Sequence, residues 1–94
     1  MYSVIRKYQF DPSASQEIAQ KIQDGFVPLL RQTPGFVAYY WLDTGQGQGA
    51  SLGVFQDEAG ADESVRIAAD FVKENLASLL GKPEITKGEV RAHS

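Results

Sequence analysis

Apolar residues recur with two different periods along this chain, and the switches between them outline its elements. Tyr2 to Phe10 is rich in β-branched and aromatic residues and reads as a first strand. Alternation sends Tyr2, Val4, Arg6 and Tyr8 to one face and Ser3, Ile5, Lys7 and Gln9 to the other. Asp11-Pro12-Ser13 ends the strand, and Asp11 or Ser13 can cap a following helix. That helix runs from about Ser13 to Gln32, with Ile18, Ile22, Phe26, Leu29 and Leu30 as its apolar stripe. Pro28 lacks an N–H and crowds the preceding turn, so the spacing predicts a kink near Asp24–Gly25. The stripe continues in phase, which argues for one bent helix. Pro34-Gly35 then turns the chain.

Phe36 to Leu42 (FVAYYWL) is strand-like in composition but does not alternate, because both faces are apolar. Asp43 to Gly49, with three glycines among polar residues, reads as a hairpin loop, and Leu52 to Phe55 as a third, antiparallel strand. A P-loop would need a helix to follow those glycines, and a strand follows instead. Asp57 caps a second helix reaching Leu80. Its predicted buried stripe is Val65, Ala68, Ala69, Val72, Leu76 and Leu79 or Leu80. Gly81 and Pro83 close it, and Glu84 to Ala92 reads as a fourth strand with a bulge at Gly88. The order β-α-β-β-α-β predicts an α+β, ferredoxin-like domain: a four-stranded antiparallel sheet with two helices on one face.

Two helices cover one face of such a sheet. The other face should then be polar in a monomer, yet the second strand is apolar on both sides, with Phe36, Ala38 and Tyr40 expected on one and Val37, Tyr39 and Trp41 on the other. Bare aromatics there would form a patch that soluble monomers rarely tolerate. Pairing with a second copy removes it, and burying ~500 Å² of apolar surface per subunit is worth on the order of 12 kcal/mol gross. The expectation is a homodimer. The bland alternative is a monomer whose open face grips a ligand.

Composition narrows the functions. Ninety-four residues make a single domain spanning 1–94. Nine Lys and Arg against twelve Asp and Glu, without a basic stripe, argue against a nucleic-acid partner. No run approaches a membrane span and no signal-peptide pattern opens the chain, so no membrane partner and a cytoplasmic location are expected. The absence of cysteine removes thiolate metal sites and a cysteine nucleophile. A lone His93, next to last, cannot build a metal site with the three or four ligands such sites use, so no metal and no cofactor are expected. Nor can it complete a Ser-His-Asp arrangement. Arg66, Asp70 and Lys73 read as an exposed ion-pair network.

The whole chain resembles the dimeric α+β barrel superfamily and, within it, the antibiotic-biosynthesis-monooxygenase-like (ABM-like) group. The resemblance is carried by the element order, by Pro34-Gly35-Phe36 opening the second strand, and by Phe55-Gln56-Asp57 leading into the second helix. It implies two sheets packed into a barrel and a pocket between helices and sheet in each subunit. Some relatives oxidise polycyclic aromatics without metal or flavin, and others degrade haem. The haem degraders place a Trp near the start of the second helix and a His further along it. Here those regions read Gln56-Asp57-Glu58 and Ser64-Val65-Arg66, so the haem pattern is not met and the catalytic residues stay unknown.

Three side chains are candidates for ligand binding. Tyr39 and Trp41 can stack on an aromatic molecule, or serve core and interface. Arg6 shares a face with Val4 and Tyr8, so it is either a buried cation able to steer an enolate-like oxygen or an edge residue. Two functions compete. One is a cofactor-independent monooxygenase acting on a hydrophobic or aromatic small molecule. The other is a non-catalytic dimeric ligand-binding or accessory protein.

Overall fold

The computed structural model describes all residues from Met1 to Ser94. Four strands form one antiparallel sheet: β1 (Tyr2–Gln9), β2 (Phe36–Gly45), β3 (Gln48–Phe55) and β4 (Glu84–Glu89). Their spatial order is β2-β3-β1-β4, so β1 and β3 are central. Between β1 and β2 lies a bent helical run: α1 (Ser15–Lys21), a π turn (Ile22–Phe26) and α2 (Val27–Arg31). Between β3 and β4 lies α3 (Glu58–Phe71), followed by a second π turn (Val72–Leu76). No helix is long and apolar enough to cross a membrane.

The bend falls where the sequence predicts it, and its form is specific. Val27 N–H donates to Ile22 O, five residues back, in place of the usual four. Pro28 offers no N–H to the carbonyl of Asp24, so the ladder must rearrange there in any case. The buried face is Ile18, Ile22, Phe26 and Leu30, each four residues apart. Strict spacing of four drifts by about 40° per step on a regular α-helix. The wider π turn takes up that drift and keeps the stripe on the sheet. Leu29, expected in the stripe, is exposed for the same reason.

The second π turn does the same for α3. Its buried face is Ala61, Ser64, Ala68 and Phe71, then Leu76 five residues on, then Leu80. Phe71 therefore belongs to the core, whereas Ala69, expected there, faces solvent. At the start, Asp57 Oδ1 accepts from Gly60 N–H at 2.9 Å, the expected cap.

Three further expectations are corrected. The glycine-rich stretch is mostly strand: β2 and β3 run to Gly45 and from Gln48, leaving a two-residue loop. Gln46 and Gly47 sit at φ 59° and 74°, the mirror-image turn that suits strand twist. Gly88 makes no bulge; it pairs in register with Ser3, whose hydroxyl donates to Gly88 O, and β4 ends at Glu89, short of Ala92. Phe36 lies opposite Phe55, not on the face of Ala38, because the register shifts between Phe36 and Ala38.

Candidate functional site

Arg6 enters the helix-side core from the middle of β1, between Val4 and Tyr8, as alternation requires. Across β3 its neighbour is Ser51, and Ser51 in turn faces Trp41 of β2. The helix-side positions of β3 are Gly49, Ser51, Gly53 and Phe55. The first three are small, and that is what lets large rings from β2 lie over the sheet. A Cβ at Gly49 would stand 2.8 Å from Trp41 Cζ2 and 3.0 Å from Phe10 Cε1. Trp41 is thereby free to tilt against Tyr8, with ring centres 5.9 Å apart. Tyr39 meets Phe26 edge-on at 5.3 Å, and Phe26 meets Phe71 at 5.4 Å.

These rings enclose a cavity of about 20 Å³ between helices and sheet. Arg6, Tyr8, Tyr39, Trp41 and Ser51 form its sheet side, and Ile22, Phe26, Phe71, Val72 and Leu76 are among its helix side. A water needs ~10–15 Å³, so the cavity takes about one. The structure thus brings Arg6, Tyr39 and Trp41, the three residues singled out from sequence, around one space. Tyr40, their neighbour, is 59% exposed on the opposite face of the sheet. His93 lies outside every element and is exposed.

Arg6 is only 6% exposed and has no ion pair. Its Nη2 donates to Val65 O at 3.2 Å, while its buried Nε has no partner. Burial pulls the guanidinium below its ordinary value, against which Tyr8 and Tyr39 act in the other direction. Burial likewise pushes the Tyr8 phenol up. The Tyr39 phenol is pushed up to about 12, mainly by burial, with the Ser51 hydroxyl acting the other way. Both phenols are therefore neutral donors near pH 7. The lining holds a cation, two phenols and a hydroxyl, and no carboxylate or imidazole. Such a donor-rich, apolar space suits a negative oxygen, and at about 20 Å³ it must widen before a ring can enter. No group of three His, Cys, Asp or Glu side chains is placed to hold a metal ion.

Sequence reasoning missed Phe71, Ser51 and Tyr8 as lining residues. Ser51 could have been found from its place among Gly49 and Gly53, a track of small residues opposite the aromatics of β2. The ion-pair expectation holds in part: Arg66 pairs with Glu63 and with Asp70, the latter at 3.2 Å, but Lys73 joins no pair. A larger hollow of about 610 Å³ lies at one end of the sheet, lined mainly by polar residues such as Lys7, Gln9, Thr44 and Gln48, with Tyr8 as its one aromatic.

No protein-family model matches the chain, and no curated protein does. Solved structures do. The protein NE2512 of unknown function from Nitrosomonas europaea is similar at TM-score 0.82 and 26% identity, covering 99% of this chain and 91% of that one. A monooxygenase from the gene ActVA-Orf6 of Streptomyces coelicolor, solved with nanaomycin D, superimposes at TM-score 0.79 with 16% identity, covering 99% and 89%. The chain shares their fold, the ferredoxin-like α+β fold of antibiotic-biosynthesis-monooxygenase-like (ABM-like) proteins. The haem degrader MhuD of Mycobacterium tuberculosis, solved with two haems, shares it at TM-score 0.78 and 11% identity, covering 100% and 99%. At such identities the ABM-like fold is common ground and the chemistry is not, so the activity must be argued from Arg6 and its neighbours.

Proposed function

We propose that this protein is a homodimeric, cofactor-independent monooxygenase acting on an aromatic small molecule held against Arg6, Tyr39 and Trp41. The observation that carries the reading is the buried, unpaired Arg6 in an aromatic cavity. A buried guanidinium without a counter-charge is costly, so a site that keeps one is suited to an anionic guest. The substrate class is an electron-rich quinol. Arg6 stabilises its phenolate, and the neutral phenols of Tyr8 and Tyr39 donate to oxygen atoms as charge develops. Trp41 supplies a stacking face. For a dihydroxynaphthalene the step is quinol plus dioxygen giving hydroxyquinone plus water. A ring carbon gains one oxygen atom, the O–O bond breaks, and the other oxygen leaves as water. All four electrons come from the substrate. The ABM-like fold, shared with a monooxygenase, supports this reading.

The test is oxygen uptake with 1,4-dihydroxynaphthalene under labelled dioxygen. The expected result is protein-dependent formation of the hydroxyquinone with one labelled atom, abolished in Arg6→Gln. Hydrogen peroxide release at the protein-free rate counts against it.

The second reading is a non-catalytic ligand-binding or accessory protein. It is favoured by the lack of any carboxylate or imidazole in the cavity lining, which leaves no ready base. Tight binding of the quinol without added turnover selects it.

A further inference from the structure

Three separate spaces meet at Arg6. Besides the aromatic cavity, a smaller one of about 10 Å³ reaches it from the side of Val4, Leu30 and Phe55. The third is an open cleft of about 330 Å³ between α3 with its following turn and β4. Arg6, Tyr8, Val72 and Leu80 border both the aromatic cavity and this cleft. Val72 and Leu80 are thus the partition on the helix side, and they sit on the π turn and the irregular residues after it. The cleft alone reaches the volume of small-molecule sites, ~300–1,000 Å³.

Charge distinguishes this cleft further. Its wall is apolar, from Val65, Val72, Ala77, Leu80 and Ile85, and its rim carries Lys73 and Lys82. Neither lysine has an ion pair, and no carboxylate lines the cleft. The chain as a whole carries a formal charge of −3. Elsewhere Lys21, Arg66, Lys87 and Arg91 each meet an acid. Of the five basic side chains without an ion pair, Arg6, Lys73 and Lys82 border this one groove, and Lys7 and Arg31 do not. Glu84, near Lys82 on the neighbouring hollow, makes no pair with it.

We propose that the cleft between α3 and β4 is the outer half of the ligand site and selects aromatic acids. The aromatic body lies along Val72 and Leu80, a ring oxygen points to Arg6, and a carboxylate points out to Lys73 and Lys82. This rests on the reading of Arg6, Tyr39 and Trp41 as a ligand site and adds the acid group as its specificity.

The experiment compares 6-hydroxy-2-naphthoate with 6-hydroxy-2-naphthamide, which carry the hydroxyl and the acid or amide group at opposite ends of the ring and share its size but differ in charge. Affinities come from calorimetry, and emission of the single tryptophan, Trp41, reports engagement of the cavity. The acid should bind at least ~10-fold tighter at low salt, and the preference should shrink as salt rises. The double variant Lys73→Gln, Lys82→Gln, both exposed positions, should remove most of the preference while leaving the amide's affinity unchanged. If both ligands change Trp41 emission but bind equally, or if the double variant keeps the preference, the outer subsite is rejected and the inner site stands. If neither ligand affects Trp41, both are rejected.

Discussion

At the scale of single residues, Arg6 places function and stability in opposition. Its side chain is buried among aromatic rings, its Nε has no partner, and the only hydrogen bond it makes is to Val65 O. An uncompensated buried charge destabilises a fold, and an apolar side chain of similar length removes that cost. Arg6→Leu should therefore raise the unfolding free energy by about 1–3 kcal/mol while abolishing binding of anionic aromatics. A calorimetric Tm that falls instead would mean that Arg6 is paired in solution in some way its surroundings here do not provide. Tyr39 gives a pH signature. Its phenol titrates near 12 in the folded chain against 10.0 ordinarily. A raised phenol favours the neutral form in the fold, so its contribution is complete below pH 10 and is lost as pH climbs towards 12. The loss is about 3 kcal/mol, and Tyr39→Phe should flatten that part of a denaturation series, leaving the smaller slope due to Tyr8. Arg6, Tyr39 and Trp41 were legible because alternation on a strand fixes which side chains share a face. Ser51 was not, since a serine between glycines has no hydrophobic signal; Phe71, three residues past Ala68 on the regular part of α3, fits helical spacing, and a stripe drawn through Ala69 and Val72 misses it.

At the scale of elements, the order β-α-β-β-α-β, the capping by Asp57 and the bend at Asp24–Gly25 could all be read from residue types. The strand details that failed share one cause: the local rule was applied without the neighbouring strand. Gly88 alone suggests a bulge, but Ser3 opposite it keeps the ladder regular. Gly45, Gly47 and Gly49 together suggest a loose loop, but each has its own task. Gly47 lies so close to Phe10 that a Cβ would stand 2.3 Å from its carbonyl oxygen. Gly49 belongs to β3 and clears space for Trp41. Its replacement by alanine must displace either Trp41 or Phe10, and both rings are packed. Overpacking of this kind costs about 1–3 kcal/mol. Gly49→Ala should accordingly lower stability by that amount and shift Trp41 emission. Gly45→Ala, where nothing stands within 4 Å of the added carbon, should strain only the backbone and leave the emission unchanged. Equal emission spectra for the two variants would show that Trp41 does not rest on Gly49.

At the scale of the molecule, the open face of the sheet is the surface on which the proposed homodimer would form. Strand registers align Tyr40, Leu52, Ile5 and Thr86 in one row across all four strands. Ala38 and Val54 lie beside it on one side, Leu42 and Ala50 on the other. Tyr40, Leu42 and Ile5 are 59%, 50% and 37% exposed in the single chain. The chain's surface is 5966 Å². A compact monomer of its mass should expose about 5,400 Å². Face-to-face packing of two copies about a two-fold axis covers this row with itself, because such an interface brings the same patch from each subunit together. The site lies on the other side of the same sheet, so the partner would brace its floor without entering it. A single Leu52→Glu change then introduces two like charges into the middle of the interface, each stripped of water. Sedimentation should show the parent chain at twice 10.3 kDa and the variant at 10.3 kDa, with a lower Tm. The paired control is Glu84→Gln, on the same face but at its polar margin, which should leave the dimer intact. A parent chain that sediments at 10.3 kDa even when concentrated would overturn the dimer, and the apolar row would then need another cover.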